Sequence, residues 1–287
     1  MPQSLEELLV ASGMPRETAR KLGTLPLPAV RLSSRRVAQE SDIPLGASRL
    51  GGRPDLKPGF SWPSWKDRPL SFVGQVNLAD VAPYPFCSRL PSSGLLSFFY
   101  DQDQQTWGFD PKDRGSWLVH FEPDPSLLER GAPPGGASSP SAFPASTLEP
   151  SEVETLPAVD SQLVSDLGLR PEELDAYSQV LDQAAEQGPP GTAHQLLGHA
   201  SPVQGDMQLE CQLVSHGLYC GDQTGYTDPR AQALKAGAKN WRLLMQIDTD
   251  DDGGMMWGDC GRLYFWMTDD ALQRRAFDEC WMILQCS

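Results

Sequence analysis

SFVGQVNLAD, residues 71–80, sets an amide inside an apolar run, with Gln75 following Phe72, Val73 and Gly74 and preceding Val76. A buried amide left unbonded costs roughly 1–3 kcal/mol, so a strand of this kind must give Gln75 partners. A backbone turn beside the strand is the expected partner, ahead of a bound ligand. The chain then repeats the arrangement. RLLMQIDTDD, residues 242–251, places Gln246 among Leu244, Met245 and Ile247, and aligns Asp248 with Asn77. Each glutamine is followed by a glycine that opens another apolar strand, GLLSFF from Gly94 and GRLYFW from Gly261, at spacings of 19 and 15 residues. Upstream, LGGRP from Leu50 has a fainter counterpart in LGHASP from Leu197. An ordered set of matches points to an internal repeat of two β-rich halves.

Outward from these strands the punctuation is clear. Ser4 to Val10 carries a capping box, with Ser4 and Glu7 serving each other's amides, and a second helix runs from Pro15 to Gly23. Residues from Ala29 read as extended, and SRLGGRPDLKPGFSWP (48–63) is turn-rich. Strands are expected over Leu70–Leu78, Gly94–Tyr100, Ser116–Glu122, Trp241–Ile247, Gly261–Met267 and Trp281–Gln285. Residues 123–150, rich in Pro, Ser, Gly and Ala, read as a long irregular excursion. Pro171–Gln187 is the clearest helix; shorter ones are expected at Asp206–His216, where the alternation of Met207, Leu209, Cys211 and Leu213 also suits a strand, after Asp228 and from Asp269 or Asp270. The result is an α+β fold with a mostly antiparallel sheet and peripheral helices. Its division is a helical segment and lead-in strand over 1–47, then one duplicated domain over 48–287. Within that domain the first repeat spans about 48–122, the excursion and helix 123–190, and the second repeat about 191–287.

The 287 residues carry 23 Lys and Arg against 38 Asp and Glu, a net charge of −15. Such a surface repels phosphate backbones, which argues against nucleic acid and for a basic protein partner or simple solubility. No run of about 18 apolar residues is present, and the N-terminus lacks the basic flank and apolar core of a signal peptide. Six cysteines without a C-x-x-C pair suit reduced thiols in a cytoplasm, away from membranes.

GGRPDL, PLSFVGQVNL, LPSSGLLSFFYD, WGFDP, LLGHASPVQGDM, WRLLMQID, MMWGDCGRLYFWM and the closing WMILQC occur in this order from about Ser48 to the C-terminus. The set resembles the bacterial YwqG family, a domain of unknown function. That resemblance implies a duplicated α+β fold with no established activity. It also implies a distant similarity to eukaryotic programmed cell death protein 2 and its relatives, chaperones of a basic ribosomal protein, and a link to toxin–immunity neighbourhoods. The Cys-rich metal modules of the eukaryotic proteins have no counterpart in this chain.

Candidate site residues follow from the repeat and the aromatic turns. Gly52, Trp62, Gln75, Gln246, Asp248, Asp250, Trp257 and Asp259 could line a groove between the halves, near the turns of 51–65 and the acidic stretch 248–259. In that stretch Asp248, Asp250, Asp252, Gly253 and Asp259 occupy positions 1, 3, 5, 6 and 12 of a calcium loop. Against calcium stand an Asp at the position of the bidentate Glu, flanking strands in place of helices, and Met256 at position 9. A solvated strand-to-strand connection is the expected reading. Cys211, His216 and Cys220 match no common zinc spacing, and no nucleophile or phosphate motif is present. The expectation is a non-enzymatic protein-binding module, chaperone-like or immunity-like, without cofactor or catalytic residues. The alternatives are a metal-dependent or hydrolytic enzyme using the carboxylates of 248–259, and a small-molecule binding module.

Overall fold

The computed structural model describes residues 4–134, 143–187 and 191–287. Its strands are β1 (Leu27–Arg36), β2 (Arg49–Leu50), β3 (Asp55–Leu56), β4 (Ser64–Trp65), β5 (Arg68–Pro69), β6 (Ser71–Asn77), β7 (Leu95–Tyr100), β8 (Trp117–Glu122), β9 (Glu129–Arg130), β10 (Ser146–Thr155), β11 (Gln195–Leu196), β12 (Trp241–Asp248), β13 (Arg262–Thr268) and β14 (Trp281–Gln285). The α-helices are α1 (Leu5–Ala11), α2 (Arg16–Leu22), α3 (Leu78–Val81), α4 (Gln162–Ser165), α5 (Pro171–Gln187), α6 (Gln208–Ser215), α7 (Gln223–Thr227), α8 (Pro229–Leu234) and α9 (Asp269–Arg274). Among the described residues no helix is long and apolar enough to cross a membrane.

Ten strands form one antiparallel sheet in the order β14-β13-β12-β11-β1-β10-β2-β6-β7-β8. Its spine is the ribbon β1–β10, registered from Leu27↔Thr155 to Arg36↔Ser146. Of the irregular excursion expected over 123–150, residues 135–142 lie outside the described residues, and its last part is instead the start of β10, the centre of the sheet. Pro150 and exposed acidic positions conceal it in the sequence. The proline is tolerated for a geometric reason. Leu32, its partner across the ribbon, sends its N–H to the His194 carbonyl (3.0 Å), on the side away from β10. Leu32 and Pro150 are thus a non-hydrogen-bonded pair, and the missing proline N–H faces the side of β10 that β2 has already left.

The ribbon also explains the helices. Leu27 and Thr155 are neighbours, so the chain entering β1 and the chain leaving β10 emerge at one end of the sheet. There Leu9, Met14, Ala19 and Leu22 pack with Val164, Ala176, Tyr177 and Val180 in a second core. The Ser4–Glu7 capping box opens α1 as its sequence predicts.

The sheet curls until it is nearly a barrel. Trp117 begins one edge strand and Trp281 the other, yet their rings meet edge-on at 5.0 Å. The Trp117 indole donates to the Cys280 carbonyl (2.9 Å) and the Trp281 indole to the Gly108 carbonyl (2.8 Å). Inside, Phe98 of β7 touches Phe265 of β13 at 5.1 Å. On the outside of the first half, Phe60, Trp62 and Trp65 cover Leu56, Leu70, Phe72 and Phe99.

Trp281→Ala removes both the ring contact and the bond to Gly108, and should lower unfolding free energy by roughly 3–5 kcal/mol in denaturant melts. A loss below about 1 kcal/mol would mean that the two edges are not held by this pair.

Candidate functional site

Two places on the sheet are built alike, residue for residue. In the pairing with β7, β6 bulges between Phe72 and Gly74; in the pairing with β13, β12 bulges between Leu243 and Met245. The extra residue turns its carbonyl to a neighbouring turn: Gly51 donates to Val73 (2.8 Å) and Leu197 to Leu244 (3.1 Å). Both turns are left-handed over two residues, with φ of 58° and 66° at Gly51 and Gly52, and 62° and 72° at Leu197 and Gly198. The chain leaving β2 or β11 is thereby folded back over the strand that carries the glutamine.

Each glutamine ties that returning chain to the chain entering the short strand. The Gln75 carbonyl accepts from the Asp55 amide (2.9 Å), and its NH2 donates to the Ala47 carbonyl (2.9 Å) and the Asp55 carboxylate (2.7 Å). The Gln246 carbonyl accepts from the Ser201 amide (2.9 Å), and its NH2 donates to the Ala193 carbonyl (2.7 Å). Both side chains are fully buried, so the backbone-turn expectation holds at both positions. The matched turns begin one residue earlier than the upstream motif suggested. Leu50 pairs with Gly74 and Leu196 with Met245, each just before its glutamine, so Leu50 corresponds to Leu196 and not to Leu197.

A further pair of bonds extends the likeness. The Asn77 amide donates to Ser48 Oγ (2.9 Å), which donates to Asp80 (2.7 Å). The Asp248 amide donates to His194 Nδ1 (3.1 Å), whose Nε2 lies 3.2 Å from Asp250. With Nδ1 accepting, Nε2 is the nitrogen that donates to Asp250. Ser34 donates to the same Asp250 oxygen at 2.6 Å and not to the histidine, so the three groups are not ordered as a nucleophilic relay. The His194 bond, helped by Ser34 and the Gly253 amide, holds the Asp250 carboxyl well below the usual carboxylate range despite its burial.

The first clamp gathers more charge than the second. Arg130 Nε binds Asp55 (2.7 Å), Arg49 Nη1 binds Glu40 (2.8 Å) and the Arg53 carbonyl (2.9 Å), and Arg53 Nε binds Glu40 (2.9 Å). Three arginines thus share two carboxylates. Arg49 is fully buried, and its Nε and Nη2 have no hydrogen-bond partner among the described residues. Burial and the adjacent Arg130 lower its pKa. None of Arg49, Glu40, Arg130, Ser34 or His194 stands out in the sequence, because they come from separate segments that only the β1–β10 ribbon brings together.

The acidic stretch is a hairpin. Asp250 and Met255 exchange backbone bonds (2.8 and 2.9 Å), and Thr249 rejoins the ladder through Gly261 (3.1 Å). Asp248 binds Arg262 (2.7 Å) and the Ala193 amide (2.7 Å), Asp250 is engaged as above, and Asp252 and Asp259 are exposed. The carboxylates do not converge as a calcium loop requires, and among the described residues no group of three or more His, Cys, Asp or Glu is placed to hold a metal. Asp248 and Asp250 are already held by Arg262, the Ala193 amide, Ser34 and His194, while Asp252 and Asp259 face solvent, which is the physical reason.

The remaining candidates are dispersed. Gly52 has no room for a side chain, since a Cβ would lie 2.5 Å from Glu40 Oε1. Trp257 is buried against Phe143 (5.3 Å) and Tyr100 (6.1 Å) and donates to the Asp248 carbonyl (3.1 Å). Trp62 donates to the Leu70 carbonyl (2.9 Å) on the outer face. The groove expected near these turns is occupied by the chain's own Phe143–Ala145, which lies against Gly51, Gly52 and Gly254.

A nearly closed antiparallel sheet with helices outside it, and glutamine clamps at two of its crossings, defines an α+β domain whose polar interior serves its own backbone. The chain belongs to the family described as Domain of unknown function (DUF1963), whose model matches residues 48–286. No curated protein matches the chain.

Gln75→Glu sets a second carboxylate against Asp55 and should cost roughly 3–5 kcal/mol near neutral pH. Gln246→Glu, with no carboxylate bonded to it, should cost about 1–3 kcal/mol; equal losses in urea melts would contradict this asymmetry. Asp250→Asn should lose stability of about 1–3 kcal/mol at neutral pH. Because the folded carboxyl is depressed, the wild-type advantage should be present above the ordinary Asp value of 3.8 and fade as pH falls toward the lowered one. An advantage that persists undiminished in acid would exclude the His194–Asp250 bond as its source.

Proposed function

We propose that the chain is a non-enzymatic protein-binding module, chaperone-like or immunity-like, that holds a basic partner against an acidic surface. The observation that carries this reading is the placement of carboxylates. Glu149, Glu152 and Glu154 are exposed along the central strand β10, and Asp251, Asp252 and Asp259 are exposed on the connection after β12. The described residues form ion pairs elsewhere, at positions such as Glu40, Asp55 and Asp248, and leave these six without a cation. With a net charge of −15, such groups attract a cationic protein over distances near the Debye length and set the salt dependence of its capture. The clamp side chains favour the same reading, since they are occupied in holding a shape.

The likeness to the YwqG family and, more distantly, to programmed cell death protein 2 belongs to this proposal. So does descent of the two halves from one duplicated unit, supported by bulges, left-handed turns and glutamine bonds that correspond in order. A cytoplasmic setting is supported by six cysteines that are all free.

The test is capture from cell extract on immobilised chain at low and high salt. A basic protein should be retained at low salt and released at high salt. Neutralising Glu149, Glu152 and Glu154 to Gln, or Asp251, Asp252 and Asp259 to Asn, should weaken its retention. Absence of a salt-sensitive partner, or capture indifferent to both sets of substitutions, would refute the reading.

A further inference from the structure

Strand β14 is one edge of the sheet, and two other segments close over it. The loop between β7 and β8 comes across from the far edge, where the Trp107 carbonyl accepts from the Leu284 amide (3.0 Å) and the Phe109 carbonyl from the Cys220 amide (2.8 Å). Helix α6 lies on the other side. Where they meet is a cavity of about 270 Å³, lined by Trp107, Phe109, Glu210, Cys220, Ile283 and Leu284 among others.

Glu210, in the first turn of α6, is the one carboxyl among these lining residues. Among the described residues no hydrogen bond or ion pair engages this partly buried side chain, and desolvation pushes its carboxyl up to about 7. The neighbouring amide of Gln285 is already used, accepting from Val203 and Gln204 (3.0 Å each) and donating to the Gly205 carbonyl (3.0 Å). The ionisable groups that act with it, Cys211, Cys220 and Tyr226, are all neutral near pH 7, since burial raises both thiols and the phenol. An ionised Glu210 therefore has no counter-charge of its own.

We propose that this cavity binds an alkylammonium group, with Glu210 as its counter-ion and Trp107 and Phe109 as walls. A single carboxylate is too few ligands for a metal ion. A compact organic cation needs one counter-ion and gains from apolar and aromatic walls. The ammonium could belong to a free amine or to a lysine side chain of a protein. The inference does not depend on the partner reading, because a free amine tests it with no partner present.

The experiment is thermal melting and calorimetry of the full chain with n-butylammonium, using n-butyrate and n-pentanol as anionic and neutral controls. The amine should raise the melting temperature saturably at about pH 8 and bind about tenfold more weakly at about pH 6, where the carboxyl is mostly protonated. Glu210→Gln should abolish the shift while melting no lower than wild type at about pH 8, since it removes an uncompensated charge. Should that variant fold poorly, proton release on binding to wild type, measured near pH 6.5 in buffers of different ionisation enthalpy, still reads Glu210 directly. A short peptide with one lysine, binding as tightly as the amine, would place the source in proteins; binding more than about tenfold weaker would place it in free amines. No shift with n-butylammonium, an equal shift with either control, or a shift retained in a folded Glu210→Gln variant would overturn the proposal.

Discussion

The interaction on which the fold depends is the satisfaction of two buried amides. Gln75 and Gln246 lie in the interior of a curled sheet, where neither can reach water. Their carbonyls find partners only if the chain leaving β2 or β11 turns back over them, while their NH2 groups bond the chain entering those strands. That requirement fixes the left-handed turns, and the turns need the extra carbonyls that the β6 and β12 bulges supply. A bulge increases local twist, and twist on both flanks lets the sheet curl far enough for Trp117 and Trp281 to meet. Polar satisfaction and overall shape are one constraint seen at two scales.

The two clamps differ in what surrounds them. Around Gln75 the chain has placed three arginines and two carboxylates, with part of the Arg49 guanidinium unbonded among the described residues. Around Gln246 stand the His194–Asp250 pair and the Asp248–Arg262 ion pair. The first is rigid through charge and sensitive to any added carboxylate. The second is held by hydrogen bonds whose strength follows the ionisation of Asp250.

Much of this was legible in the sequence. The strands at 71–77, 95–100, 117–122 and 281–285 announce themselves by apolar content, and the helix Pro171–Gln187 by its proline start and periodic face. The glutamine repeat marks the two clamps in the sequence itself. Three features were hidden. Strand β10 contains Pro150 and points acidic residues outward, so it reads as a loop; β2 and β11 are two residues each, too short to show a period. The Arg49–Glu40–Arg130 cluster joins segments distant in sequence, and no local pattern announces it. Glu210 looks like any acidic residue near a helix start, and only the cavity beside it sets it apart.

The central ribbon has a consequence for how the chain assembles. It joins β1 to β10 through partners as far as 128 residues apart, Thr155 and Leu27, whereas β6–β7–β8 and β12–β13–β14 are built from neighbours along the chain. Closing a loop of that length carries an entropy cost that no local contact repays. The two three-stranded meanders can therefore form early and independently, each with its outer edge ready, while the ribbon between them waits for both. Until it forms, β6 and β12 expose strand edges and a buried-type glutamine without its partners. The molecule's most vulnerable state is thus a half-assembled sheet whose two flanks are finished before its middle.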